Sequence, residues 1–139
     1  GNQGATLKKF GKQIAELVAQ SQDNEDMAEF IKPLTQLGQQ MTQFTGEIGY
    51  KAMQNADEVG AAAVDYLRVA GHLVLGYFWA RMAQVALQKI AEGQRETFYQ
   101  AKLQTARFYF AKLFPETASL MATARAGSAV LMETEAVFA

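Results

Sequence analysis

The run VAGHLVLGYFWA, residues 69–80, decides how the rest of this 139-residue chain is read. It is bounded by Arg68 and Arg81 and carries no formal charge at neutral pH, with one histidine, one tryptophan and two glycines. Crossing a bilayer takes about 20 apolar residues, so the run is too short for a membrane span and reads as part of a buried helix. The glycine-containing start leads straight into charged LKKFGKQ (7–13), without the basic start, apolar stretch and small-residue cleavage site of a secretory leader.

Working outward, composition fits one domain: half of the residues are hydrophobic, nine are phenylalanine, and that is enough for a real core. Thirteen basic and fourteen acidic side chains leave a net charge of -1 with no block of like charge. Nothing in that balance attracts nucleic acid or an anionic membrane. The absence of cysteine removes disulfides, thiolate nucleophiles and zinc-thiolate sites, and makes the cytoplasm the default compartment.

Apolar periodicity then divides the chain. Leu7, Phe10, Ile14, Leu17 and Ser21 recur at steps of three and four, marking one side of a first helix that ends in polar SQDNED. Asp23 is placed to cap a second helix, whose stripe is Met27, Phe30, Leu34, Leu37, Met41, Phe44 and Ile48. Pro33 lies within it and predicts a kink near Phe30 or a break and restart at the proline. Asn55 and Glu58 have capping-box spacing for a third helix, which runs to Glu92 before Gly93 ends it. Its length is about 50 Å at 1.5 Å per residue. A fourth helix is expected from Gln94. One face carries Phe98, Ala101, Thr105 and Phe108, and the adjacent face Leu103, Ala106, Phe110 and Leu113, until Pro115 kinks or restarts it before Leu120, Ala124, Gly127 and Leu131. No segment alternates with period two. The expected architecture is therefore all-α, an up-and-down four-helix bundle with kinks near Pro33 and Pro115, filling residues 1–139 as a single domain.

The third helix is apolar over most of its circumference. Val64, Leu67, Gly71, Val74, Phe78, Met82 and Val85 share one face, and Tyr66, Ala70, Leu73, Tyr77, Ala80 and Leu87 its neighbour. Every helix of a four-helix bundle keeps one side outward, so such a helix implies a docking surface.

Little here carries chemistry. A di-iron bundle needs two Glu-x-x-His pairs; the chain has one histidine, His72, with Val69 three residues before it. Ser21, Ser119 and Ser128 sit in helical or capping contexts without a nucleophile elbow. Gly71 and Gly76 lie inside a helix, where small residues allow close helix contact, and not in a phosphate loop. Met41, Met53, Met82, Met121 and Met132 read as core filler. No residue is assigned a catalytic or metal-binding role. Arg68, His72 and Trp79 fall on one helix side and suit a partner or a stacked aromatic ligand, the plainer reading being a satisfied histidine in a bundle groove. Arg107, in TARFYF, reads most simply as an arginine whose stem covers apolar surface. With Tyr66, Tyr77 and Arg81 these residues make up the candidate interface.

Two segments, YLRVAGHLVLGYFWARMAQVAL (66–87) and FYQAKLQTARFYFAKLFPETASLM (98–121), resemble the carboxy-terminal helical domain of acyl-CoA dehydrogenases, in the branch of large bacterial flavoenzymes of the methylthiopropionyl-CoA dehydrogenase type. The likeness lies in Tyr-Leu-Arg followed by Gly-His, the Gly-Tyr-Phe-Trp-Ala-Arg-Met-Ala run, Thr-Ala-Arg-Phe-Tyr and Leu-Phe-Pro-Glu-Thr-Ala. Ala70 departs from the family's tendency to place an aromatic residue before the glycine. The resemblance implies a parent enzyme of fatty acid metabolism that oxidises an acyl-CoA thioester to the 2,3-enoyl form, with a glutamate base and hydride transfer to FAD. It also implies that this machinery lies in a preceding core, so no FAD is expected on these 139 residues. The domain would be a C-terminal fragment packing on that core and on a homodimer partner. The rival expectation is a free-standing helical interaction module.

Overall fold

The computed structural model describes residues 2–52 and 59–126, and among them there is helix and no strand. The Asn55–Glu58 capping box, Met53, Gly127, Leu131 and Met132 lie outside the described residues, as do the side chains of Leu7 and Ile48. The architecture is the expected four-helix bundle.

Helix α1 (Asn2–Ser21) buries Ile14, Leu17 and Ser21 at steps of three and four, and the polar stretch after it ends the helix. Asn24, one residue beyond the expected cap, is extended, and its Oδ1 accepts the Asp26 backbone N–H at 3.1 Å. A 3₁₀ turn (Glu25–Met27) follows and leads into α2 (Ala28–Ala52). Helix α2 runs through Pro33 without the break and restart that the proline allowed. Pro33 is its sixth residue, and the missing N–H costs the helix one bond, that to the carbonyl four residues before it. The apolar stripe passes it intact, with Met27, Phe30, Leu34, Leu37, Met41 and Phe44 all buried.

Helix α3 (Val59–Ala91) packs against α1, α2 and the following helix. Its inner side is Val69, Leu73, Gly76, Ala80, Ala83 and Ala86. The small residues let neighbouring helices approach, most of all at Gly76, where an added Cβ would stand 2.8 Å from Leu34 Cδ2 and 2.9 Å from Phe114 Cε2. Gly71, expected to serve the same purpose, has nothing within 4 Å of that position and faces outward. Gly93 ends the helix as expected: at φ +71° its N–H donates to Ile90 O (3.0 Å) and Gln94 N–H donates to Lys89 O (2.9 Å), the paired bonds of a Schellman cap.

Arg95, itself left-handed at φ 45°, delays α4 (Glu96–Phe108) by two residues from the expected start. Near Pro115 the fourth rod departs from α-helical period. A π-helical turn, Tyr109–Leu113, widens the spiral, and Phe114 N–H donates to Tyr109 O at 2.9 Å. The buried sequence becomes Leu103, Ala106, Tyr109 and Phe114, and Leu113, placed on one face with Leu103 and Ala106 by a constant helical period, is 48% exposed. After a turn at Phe114 and Pro115 the rod restarts as α5 (116–126), burying Leu120, Met121 and Ala124.

Candidate functional site

Helix α3 presents one apolar side that the described residues of the bundle cover only in part, with Phe10 of α1 meeting Phe78 at one end. Val64, Leu67, Leu75 and Phe78 are 59%, 52%, 50% and 56% exposed, and Gly71 lies among them in open space. At 100° per residue these five positions fall within one narrow stripe on the side opposite Val69, Leu73 and Ala80. Isolated exposed leucines are ordinary, but a continuous apolar stripe on one helix marks an interaction surface.

Beside the stripe, α3 is clasped to the Pro115 corner. Arg68 Nη2 donates to Glu116 Oε1 at 2.9 Å, and His72 Nε2 lies 3.2 Å from Glu116 Oε2. The Tyr109 hydroxyl donates to the His72 carbonyl at 3.0 Å and also stands 3.0 Å from His72 Nδ1. The phenol has one proton, given to the His72 carbonyl, so a proton on His72 Nδ1 donates to the phenol oxygen and one on Nε2 donates to the Glu116 carboxylate. The order Glu116, His72, Tyr109 is that of a proton relay, but the end group is unsuited to one. Tyr109 is 3% exposed, and burial, reinforced by the negative charge of Glu116, pushes its pKa from 10.0 up to about 12. A phenol that holds its proton this firmly is a structural donor, and the clasp fixes the π turn and the proline corner onto α3.

The remaining candidate residues are distributed around the bundle. Trp79 and Tyr66 are half-buried and pack on the core, Tyr66 with its ring centroid 6.0 Å from that of Phe44. Tyr77 and Arg81 belong to a cleft of about 470 Å³ between α1 and α3, shared with Lys9, Phe10, Gln13 and Phe78. There Phe10 meets Tyr77 and Phe78 edge-on, with both centroid distances 6.2 Å, and Arg81 Nη1 donates to Gln84 Oε1 at 2.7 Å. Arg107 joins α4 to the start of α2 through Glu29, Nε to Oε1 3.2 Å, with its head half in solvent. The structure thus unites Arg68 with His72 and Tyr77 with Arg81, and does not gather the seven candidate residues into one site.

The side chains that form the open face were only partly legible. Val64, Leu67, Gly71 and Phe78 are on one face in the sequence reading, whereas Leu75 is on neither apolar face and none of the five enters the candidate interface. The available signal was the helical spacing of 64, 67, 71, 75 and 78.

Among the described residues no three His, Asp or Glu side chains are placed to hold a metal ion. The α1–α3 cleft does not fit a flavin: its polar groups come from Lys9, Gln13, Tyr77 and Arg81, none of them buried, and Arg81 is already engaged with Gln84. No helix of the described residues is long and apolar enough to cross a membrane. The model of one protein family, described as acetyl-CoA dehydrogenase C-terminal like, matches residues 10–135. No curated protein matches the chain.

Proposed function

The chain belongs to the acetyl-CoA dehydrogenase C-terminal-like family, and on that premise we propose that it is the helical accessory domain of a larger FAD-dependent acyl-CoA dehydrogenase, one that buries its α3 face in the assembled enzyme and supplies no catalytic group. The observation that carries this reading is the stripe of Val64, Leu67, Leu75 and Phe78, about half exposed along a helix otherwise packed on three neighbours. Half-covering leaves about 1 kcal/mol of apolar burial unrealised for each such side chain, and assembly recovers it. The polar chemistry around it supports the same role. Arg68, His72, Tyr109 and Glu116 are occupied with one another, holding a corner of the fold. Oxidation of the thioester and transfer of hydride to flavin then belong to the dehydrogenase core.

The test is a dehydrogenase carrying this domain with Leu67→Asp or Phe78→Asp. The expected result is a lowered thermal unfolding temperature of the holoenzyme with FAD per chain and kcat, measured below that temperature, unchanged. Loss of turnover with no loss of stability would mean that the domain contributes to the reaction itself.

A further inference from the structure

The apolar stripe on α3 has two unlike edges. At one edge the charge of Arg68 is answered within the fold by Glu116, Nη2 to Oε1 2.9 Å. At the other, Phe78 belongs both to the stripe and to the cleft between α1 and α3, which is lined by Lys9, Phe10, Gln13, Tyr77, Phe78 and Arg81. Arg81 stands about 60° around the helix from Phe78. The stripe therefore continues into a cleft of about 470 Å³ whose apolar lining is three aromatic rings, Phe10 meeting Tyr77 and Phe78 edge-on.

The polar groups of that cleft are donors in want of an acceptor. No lining residue is acidic. Lys9 and Arg81 are both exposed, and the ion pairs among the described residues belong to Arg68, His72, Lys89 and Arg107, so neither cation has a carboxylate partner there. Arg81 gives one N–H to Gln84 Oε1, a neutral acceptor, out of the five that a guanidinium carries. The Tyr77 hydroxyl and the Gln13 amide make no hydrogen bond among the described residues. An interface has an apolar centre and a polar rim; here the centre is the stripe, and one rim holds two positive charges that the fold leaves unanswered.

We infer that the segment of the dehydrogenase core lying on the α3 face is acidic along this edge, seating carboxylates on Lys9 and Arg81 while its apolar side chains rest on Val64, Leu67, Leu75 and Phe78. This rests on the reading that the face is covered in the assembly, and it states the chemistry of what covers it. A carboxylate matches the parallel N–H pair of the Arg81 guanidinium, and the Lys9 ammonium, a point charge on a flexible stem, takes a second one. A neutral or basic surface laid on the same stripe would bury two cations without counter-charge, the costly arrangement, so the charges select the partner as the apolar side chains alone do not.

A carbodiimide tests this, because it joins a lysine amine to a carboxylate in contact with it and leaves no spacer. In the assembled dehydrogenase, peptide mass spectrometry should find Lys9 linked to an aspartate or glutamate of the core, outside residues 1–139. Arg81→Lys, which keeps the charge and supplies an amine, should add a second such link. Raising the salt from about 0.1 M to about 1 M shortens the screening length from about 10 Å to about 3 Å and should cut the yield several-fold. Without any cross-linking, Arg81→Glu should lower the thermal unfolding temperature of the enzyme, and by less at the higher salt. Lys9 left unlinked, or linked only to carboxylates within residues 1–139 of its own or a second copy, overturns the acidic partner, as does an Arg81→Glu enzyme of equal or greater stability. If Leu67→Asp still destabilises that enzyme, the face is covered by a surface that is not acidic. If Leu67→Asp is without effect too, the docking reading falls as well.

Discussion

Gly71 and Gly76 stand five residues apart in α3 and should respond to the same substitution with opposite signs. Replacing a mid-helix glycine by alanine removes about 1 kcal/mol of backbone entropy cost. At Gly71 the new methyl meets nothing within 4 Å, so that gain is the whole effect and Gly71→Ala should stabilise the monomer by about 1 kcal/mol. At Gly76 the methyl would stand 2.8 Å from Leu34 Cδ2 and 2.9 and 3.3 Å from two carbons of the Phe114 ring. Leu34 is fully buried and Phe114 nearly so, so neither can swing aside into solvent. Forcing a methyl into such a contact costs about 1–3 kcal/mol, which leaves a net loss of up to about 2 kcal/mol once the helix gain is set against it. Urea unfolding followed by circular dichroism, at low protein concentration to keep the chain monomeric, measures both. With a slope of about 1.5 kcal/mol/M, the Gly71→Ala midpoint should rise by roughly 0.7 M and the Gly76→Ala midpoint fall by up to about 1.3 M. Equal stabilisation by the two variants would refute the assignment of Gly76 to the close contact and Gly71 to the open face.

Three further outcomes follow from the clasp and the core. Tyr109 keeps its proton to about pH 12 when folded and to 10.0 when unfolded. Its contribution is therefore complete below pH 10 and is lost as pH rises towards 12, by roughly 2–3 kcal/mol in all; denaturation curves of the parent chain and Tyr109→Phe should converge over that window, and parallel curves would count against the burial of the phenol. Glu116→Gln removes a carboxylate that is half exposed and shared by Arg68 and His72, so its cost should be small, about 0.5–1 kcal/mol, and a loss above about 3 kcal/mol in chemical denaturation would show the clasp to be a buried charge network instead. Trp79 packs on the core, so Trp79→Asp should lower the unfolding midpoint of the dilute monomer by an amount worth about 2 kcal/mol or more, and an unchanged midpoint with weakened association would move Trp79 to the outer face.

Much of the bundle was legible because it obeys local rules. The stripe from Met27 to Phe44 is regular enough that Pro33, near the helix start, does not disturb it, and Gly93 supplies the positive φ that a Schellman cap requires. The same assumption of constant period fails between Tyr109 and Leu113. There the π turn advances the register by one residue, so Phe114 and not Leu113 reaches Gly76. A period-3.6 reading places the kink at Pro115 but cannot signal the wider turn before it. The clasp was illegible for another reason: Glu116 lies 44 residues from His72 and 48 from Arg68, and only tertiary packing brings them together. On α3 the difficulty was an excess of signal. Apolar residues nearly all round the helix do not reveal which side its own bundle takes, and the structure resolves this in favour of Val69, Leu73, Gly76 and Ala80 inside and Val64, Leu67, Leu75 and Phe78 outside.

The central claim is that this outer side of α3 is a buried surface of the working enzyme. The shift in thermal unfolding caused by Leu75→Glu, taken once in the dilute isolated chain and once in the assembled dehydrogenase, tests it most directly. A half-exposed leucine in the lone domain predicts a change within about 0.5 kcal/mol, whereas a carboxylate forced into an apolar contact of the assembly predicts a loss of about 3 kcal/mol or more. Equal, small shifts in both would contradict the account.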